Sequence, residues 1–277
     1  MNVSDEIEVV LVATDGSFFA RRGILAASVL APQLGAHIRL FSTVPKDEDV
    51  EGREQLLSML GFPATVVVDL DPAGALHEEV RRLGKAVACM ASHGHGRSTA
   101  LVGSVATDVV VRGHDPVILA GPMVEKALQG RGIVVSVDDD PATAHVLPIA
   151  RQWARRLAKS LIIVSVAEPA PPPVRGGGVR RAFGPDGDVQ AFLDGLVAAA
   201  NIDDVEIETV PIYDPISPAV GLEAWMRIHP APLVVTGSHA RTGLERLALG
   251  SVSAGIVRHC PAPVLVVPLA HLGGDTS

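Results

Sequence analysis

Apolar runs of five to eight residues recur along the chain, each separated from the next by a stretch with helical spacing. Ile7 to Thr14, IEVVLVAT, is mostly apolar and β-branched, the pattern of a strand buried on both faces. Phe18 to Leu34 has helical spacing and stops before Gly35. His37 to Val44 reads as a strand, Val50 to Leu60 as a helix, Ala64 to Asp69 as a strand and Pro72 to Leu83 as a helix closed by Gly84. Ala86 to Ala91 is a fourth strand, Gly103 to Arg112 a helix and Pro116 to Gly121 a fifth strand.

The pattern then repeats. Strands are predicted at Gly132 to Val137, Leu161 to Val166, Val205 to Val210, Leu233 to Gly237 and Pro263 to Val267. Helices are predicted at Ala142 to Ala158, Val189 to Ala200, Ala219 to Arg227 and from Val252 to His259. Each unit is far longer than a solenoid repeat, so the reading is two copies of one domain, 1–122 and 131–270. Met123 to Arg131 joins them. The expected fold is α/β: two tandem Rossmann-like domains, each a five-stranded parallel sheet with helices on both faces. Pro169 to Asp188 has no counterpart in the first copy and reads as an exposed loop, with Arg175, Arg180 and Arg181 as a local basic cluster.

Composition narrows the functions. Hydrophobic residues make up 48% of the 277, enough for a sizeable core, but aromatics are only 3%, so that core must be aliphatic. A net charge of −8 argues against a nucleic-acid binder. Two cysteines, Cys89 and Cys260, cannot build a disulfide framework and read as reduced structural thiols. No run approaches the roughly 20 apolar residues of a membrane helix. No secretory pattern opens the sequence. A cytoplasmic protein is expected.

Candidate chemistry gathers after the fourth strand of each copy. Gly237 to Ser251, GSHARTGLERLALGS, and Ala91 to Ser104, ASHGHGRSTALVGS, are small-residue loops that end where a helix begins. Gly103-Ser104 and Gly250-Ser251 are the junctions, with serine as the expected N-cap. Such junctions suit anions, because backbone N–H groups and the positive helix end point the same way. Ligands of open parallel sheets lie beyond the carboxyl ends of the strands, where strand order reverses, which nominates Asp15 and Asp138 as the facing walls. His93 and His239 occupy matched places but lack partners at metal-ligating spacing. No Gly-x4-Gly-Lys-Ser/Thr loop is present, Ser104 and Ser251 lack an evident base, and no catalytic constellation is seen.

On these residues the chain resembles a tandem universal stress protein. ATP-binding members of that family carry Gly-x2-Gly-x9-Gly-Ser/Thr after strand four. The second copy has Gly237, Ala240 and, nine residues on, Gly250-Ser251. The first has Ala91, Gly94 and, eight residues on, Gly103-Ser104. The resemblance implies an adenine nucleotide, ATP with or without Mg, with phosphates on those junctions and on Val105 or Val252. It implies adenosine near Asp15 or Asp138, flanked by the backbone of Thr43 or Val166. It also implies a regulatory protein of the stress response that acts by occupancy, not turnover. The alternatives are a nucleotide-free scaffold for a protein partner and a slow ATP hydrolase. The apolar fifth strands, Val117 to Ala120 and Val264 to Val267, are expected to pair and form an internal pseudo-dimer, with a homodimer also open.

Overall fold

The computed structural model describes residues 6–45, 50–93, 102–126, 129–167, 187–214, 216–238 and 249–269. The first half runs β1 (Val9–Ala13), α1 (Arg21–Leu34), β2 (His37–Val44), α2 (Val50–Ser58), β3 (Ala64–Val68), α3 (Pro72–Leu83), β4 (Ala86–Ala91), α4 (Ser104–Arg112) and β5 (Val117–Ala120). The second runs β6 (Gly132–Val137), a 3-10 turn (Pro141–His145), α5 (Val146–Leu157), β7 (Ser160–Ala167), α6 (Gly187–Ala200), β8 (Ile207–Tyr213), α7 (Pro218–Ile228), β9 (Val234–Ser238), α8 (Ser251–His259) and β10 (Val264–Pro268).

The strands form one ten-stranded sheet in the order β3-β2-β1-β4-β5-β10-β9-β6-β7-β8. Within each half every pairing is parallel. The halves meet where β10 runs antiparallel to β5, with Leu265 opposite Ile118. These are the two segments whose apolar composition predicted pairing. All four residues of β5 and all five of β10 are buried, so neither is left as an exposed edge.

Alternating side chains divide the core into two layers. Val10, Val12, Cys89, Val135, Ile163 and Val267 face α1, α2, α5 and α6. Leu11, Ala88, Met90, Val134, Val164 and Val266 face α3, α4, α7 and α8. The core is aliphatic as composition requires, with Trp153 its one fully buried large ring among the described residues. Both thiols are free and buried, and burial raises their pKa, that of Cys89 to about 12. Among the described residues no helix is long and apolar enough to cross a membrane.

Two elements depart from the sequence reading. The helix expected from Ala142 begins as the 3-10 turn, because the Asp140 carboxylate accepts the Ala142 N–H at 2.9 Å and fixes the entry there. The strand expected to stop at Val210 continues to Tyr213 through Pro211. β8 is an edge strand, so a missing N–H on its outer side costs no ladder bond.

Candidate functional site

Strand order reverses between β1 and β4, and there a cleft of about 570 Å³ opens, lined wholly by residues of the first half. Three walls meet in it. The first is the end of β1. Asp15 Oδ1 accepts the Ser17 N–H at 2.9 Å and Thr14 Oγ1 accepts the Gly16 N–H at 3.1 Å, so a tight turn holds the carboxylate at the strand end. Gly16 has φ 75°, and a side chain there would strike Leu56 of α2.

The second wall is the start of α4. Gly103 is the N-cap, in extended conformation, and no side chain caps the helix. The expected serine cap is therefore a correction: Ser104 is the first helical residue and its hydroxyl makes no cap. The first helical bond is Thr107 N–H to Gly103 carbonyl, 2.9 Å, so the amides of Ser104, Val105 and Ala106 precede the helical ladder. The Gly103 N–H is not among the available donors, because it donates to the Ser92 carbonyl at 2.7 Å. Gly103 is small for a related reason: a Cβ would sit 3.2 Å from that carbonyl oxygen.

The third wall is apolar, from Phe41, Leu76 and Met90, and ends at Thr43 on β2. Arg53 Nη1 donates to Ser42 Oγ at 2.9 Å, and both residues line the cleft. Also in the lining, the Ser92 hydroxyl donates to His93 Nδ1 at 2.7 Å in the tautomer that leaves that nitrogen unprotonated. Next to the lining residue Pro72, Asp71 caps α3 by accepting the Gly74 N–H. The Arg112 guanidinium, bound to both Asp71 oxygens, and that capping N–H hold its pKa at about 2. His77 of α3 donates from Nε2 to the Val109 carbonyl of α4, and burial lowers its pKa.

Of the residues nominated by sequence, Asp15, Thr43, Gly103, Ser104 and Val105 converge on this cleft. Gly94 and Ala240 lie outside the described residues, as do His239 and positions 168–186 of the proline- and glycine-rich loop. Sequence reasoning did not single out Arg53, Ser42, Ser92 or the apolar wall. The one available signal for Arg53 was a cation in the short helix following a strand whose end was already nominated.

In the second half the matching residues are engaged in packing and capping. Gly250 is the N-cap of α8, again with no side-chain cap, so Ser251 repeats the correction made for Ser104. Ser253 donates to the Gly237 carbonyl at 2.5 Å, tying the helix start to the strand end. A Cβ on Gly237 would lie 2.4 Å from Leu269 Cδ1 and 3.2 Å from Val146 Cγ2. Gly237 thus has a packing reason to be small. Asp138 accepts the Asp140 N–H and Asp140 caps the 3-10 turn, so two of the three consecutive acids shape that turn. Val166 packs where α7 comes close, 2.9 Å from a Cβ built on Gly221. Val252 is half-buried on α8. Among the described residues no three His, Cys, Asp or Glu side chains gather as around a metal ion.

The fold has solved relatives. A universal stress protein from Archaeoglobus fulgidus DSM 4304 is 19% identical, with TM-score 0.65 over 94% of this chain and 98% of that one. A protein of unknown function from Pseudomonas aeruginosa PAO1 is 16% identical, with TM-score 0.62 over 98% of both chains. At these identities the likeness establishes a shared fold. A universal stress protein in complex with cAMP overlaps 51% of this chain with TM-score 0.37, too partial an overlap to bear on the ligand here. No curated protein sequence matches significantly. The universal stress protein family model matches residues 131–268, and by that half the chain belongs to the universal stress protein family.

Proposed function

We propose that the first half binds an adenine nucleotide in the cleft between β1 and α4, and that the protein acts in the cytoplasmic stress response by occupancy, not turnover. The observation that carries this reading is the convergence of three unlike walls on one cavity. The amides of Ser104, Val105 and Ala106, at the positive end of α4, suit phosphate oxygens. The Asp15 carboxylate is a hydrogen-bond acceptor for ribose hydroxyls. Phe41, Leu76 and Met90 offer a flat apolar seat for a base, with the Thr43 backbone at its edge. ATP is the nucleotide for which the α4 amides are best used, since a polyphosphate reaches them while the base stays on the apolar wall.

Turnover would need a base or a cation placed against the γ-phosphate. Arg53, the cation among the described lining residues, is bonded to the Ser42 hydroxyl of β2.

Calorimetry of ATP, ADP and AMP against the full chain tests the proposal. Ser104→Asp is the informative variant. An acid in the first helical turn favours the helix but repels phosphate, so folding is kept while affinity falls. Gly103→Asp is less clean, because its Cβ would press on Ser92. Loss of one charge-assisted contact corresponds to a roughly tenfold to hundredfold drop in affinity. Ser251→Asp makes the same change in the second half and is expected to leave first-site binding intact. Undiminished binding by Ser104→Asp would place the nucleotide elsewhere. Absence of binding to the wild-type chain would favour the scaffold reading, in which the paired halves present a surface to a protein partner.

A further inference from the structure

Between Asp15 and the body of α1 the chain reads Phe18-Phe19-Ala20-Arg21-Arg22. Ala20 lines the cleft, but the aromatic and basic side chains are not among its lining. Phe18 is 72% and Phe19 41% exposed, in a chain with only six phenylalanines. The two rings meet edge to face at 5.9 Å. Arg21 and Arg22 lie over Phe18 and Phe19 respectively, each 5.9 Å from the ring centroid. Among the described residues neither guanidinium forms an ion pair. Leu56 of α2, itself 37% exposed, lies against Gly16 of the same turn.

The fold does not require these side chains. The matching station in the second half is Asp138 to His145, DDDPATAH, where the 3-10 turn makes the same connection without an aromatic or an arginine. The rings gain little where they are, since exposed apolar area forgoes the stabilisation of burial. The turn beneath them is fixed. Asp15 and Ser17 each accept an N–H within it, so the rings are displayed on a rigid base.

The geometry points to a docking surface for a protein segment that carries an apolar anchor flanked by carboxylates. Aromatic rings and arginines are the side chains enriched where partners bury contact area. A guanidinium stacked on a ring keeps its N–H fork for a carboxylate while its flat face is covered. Charge complementarity selects the partner: two neighbouring cations stand out from a chain of net charge −8. A nucleic acid is disfavoured because a chain of net charge −8 repels its backbone and two cations neutralise few phosphates. An anionic membrane is disfavoured because recognition of that kind takes about four to eight clustered cations. This surface is independent of what the cleft binds.

The test uses the full chain and a panel of short fluorescent peptides that vary in net charge and in the presence of a leucine or phenylalanine anchor. Fluorescence anisotropy is expected to show tightest binding to acidic, anchor-bearing peptides, weakening with salt. Phe18→Ser with Phe19→Ser is expected to weaken that binding by about tenfold or more. Arg21→Glu with Arg22→Glu is expected to invert the charge preference. All four side chains are outside the core, and circular dichroism confirms that the variants fold. Binding that ignores peptide charge, or that survives both double variants, overturns the proposal. So does binding to phosphatidylserine vesicles, or self-association lost in Phe18→Ser, without acidic-peptide binding.

Discussion

The two halves place bulk on opposite sides of the same contact. Where α1 crosses β4, the helix contributes Gly23 and the strand Ala91. Where α5 crosses β9, the helix contributes Val146 and the strand Gly237. A Cβ on Gly23 would lie 2.9 Å from the Ala91 nitrogen and 3.0 Å from the Met90 carbonyl carbon, so α1 rests on strand backbone. Val146 is fully buried at the matching station, which sets α5 further out, and Leu269 fills the space beside Gly237. Two sequence copies of one domain thus need not be two copies of one site. A glycine in the position of a family motif can serve packing in one half while an alanine stands there in the other.

That comparison breaks most readily at Gly23. Gly23→Val drives a branched side chain into backbone, and a loss of about 3 kcal/mol is expected in urea unfolding. The obstruction is backbone and not the Ala91 methyl, so adding Ala91→Gly should leave most of the loss in place. Full recovery by the double variant would mean that exchanged bulk alone separates the halves. Gly237→Ala meets the end of the Leu269 side chain instead, which can turn aside, and about 1–2 kcal/mol is expected. An equal loss at both glycines would contradict the closer approach of α1.

Helix ends give a smaller effect of opposite sign. α1 closes on Gly35 with φ 65°, whereas α5 closes on Ala158 with φ 51°. The left-handed region disfavours a Cβ, so Ala158→Gly should stabilise by about 0.5–1 kcal/mol, read as a raised urea midpoint.

The smallest effect is a pH dependence confined to one half. α3 is capped by Asp71, whose pKa Arg112 and the Gly74 N–H hold at about 2 against an ordinary 3.8. A depressed carboxyl contributes stability that is present above its unfolded value and is lost as pH falls through its folded one. α7 is capped by Ser217, which accepts the Val220 N–H and does not titrate. Between pH 3.8 and about 2, amide exchange in α3 should therefore accelerate relative to α7. Asp71→Ser should remove the difference between the two helices.

Most of the fold was legible because it depends on local pattern. Buried parallel strands are continuous apolar runs, and amphipathic helices between them leave few topologies. The fifth strands identified themselves as partners because each is apolar yet would end a five-stranded sheet. Asp15 and Ser104 were nominated because strand ends and helix starts at a topological switch point are addresses that a sequence encodes, and Thr43 because the family resemblance points to the end of the second strand. Arg53, Ser92 and the apolar wall were not found. Phe41, Leu76 and Met90 read as ordinary core residues of three separate elements, and only their meeting makes a wall.

The sequence by itself determined the repeat, the parallel halves and the loops from which a site could be built, since periodicity and turn chemistry act over a few residues. Tertiary structure alone decided which amides remain for a ligand. The Gly103 N–H is spent on Ser92, eleven positions away, while the three that follow precede the helical ladder. It also decided that Gly237 packs against Leu269, just past β10, and Val146 of α5. Such choices depend on distances of a few tenths of an ångström between segments remote in the chain, which packing sets and no local pattern records.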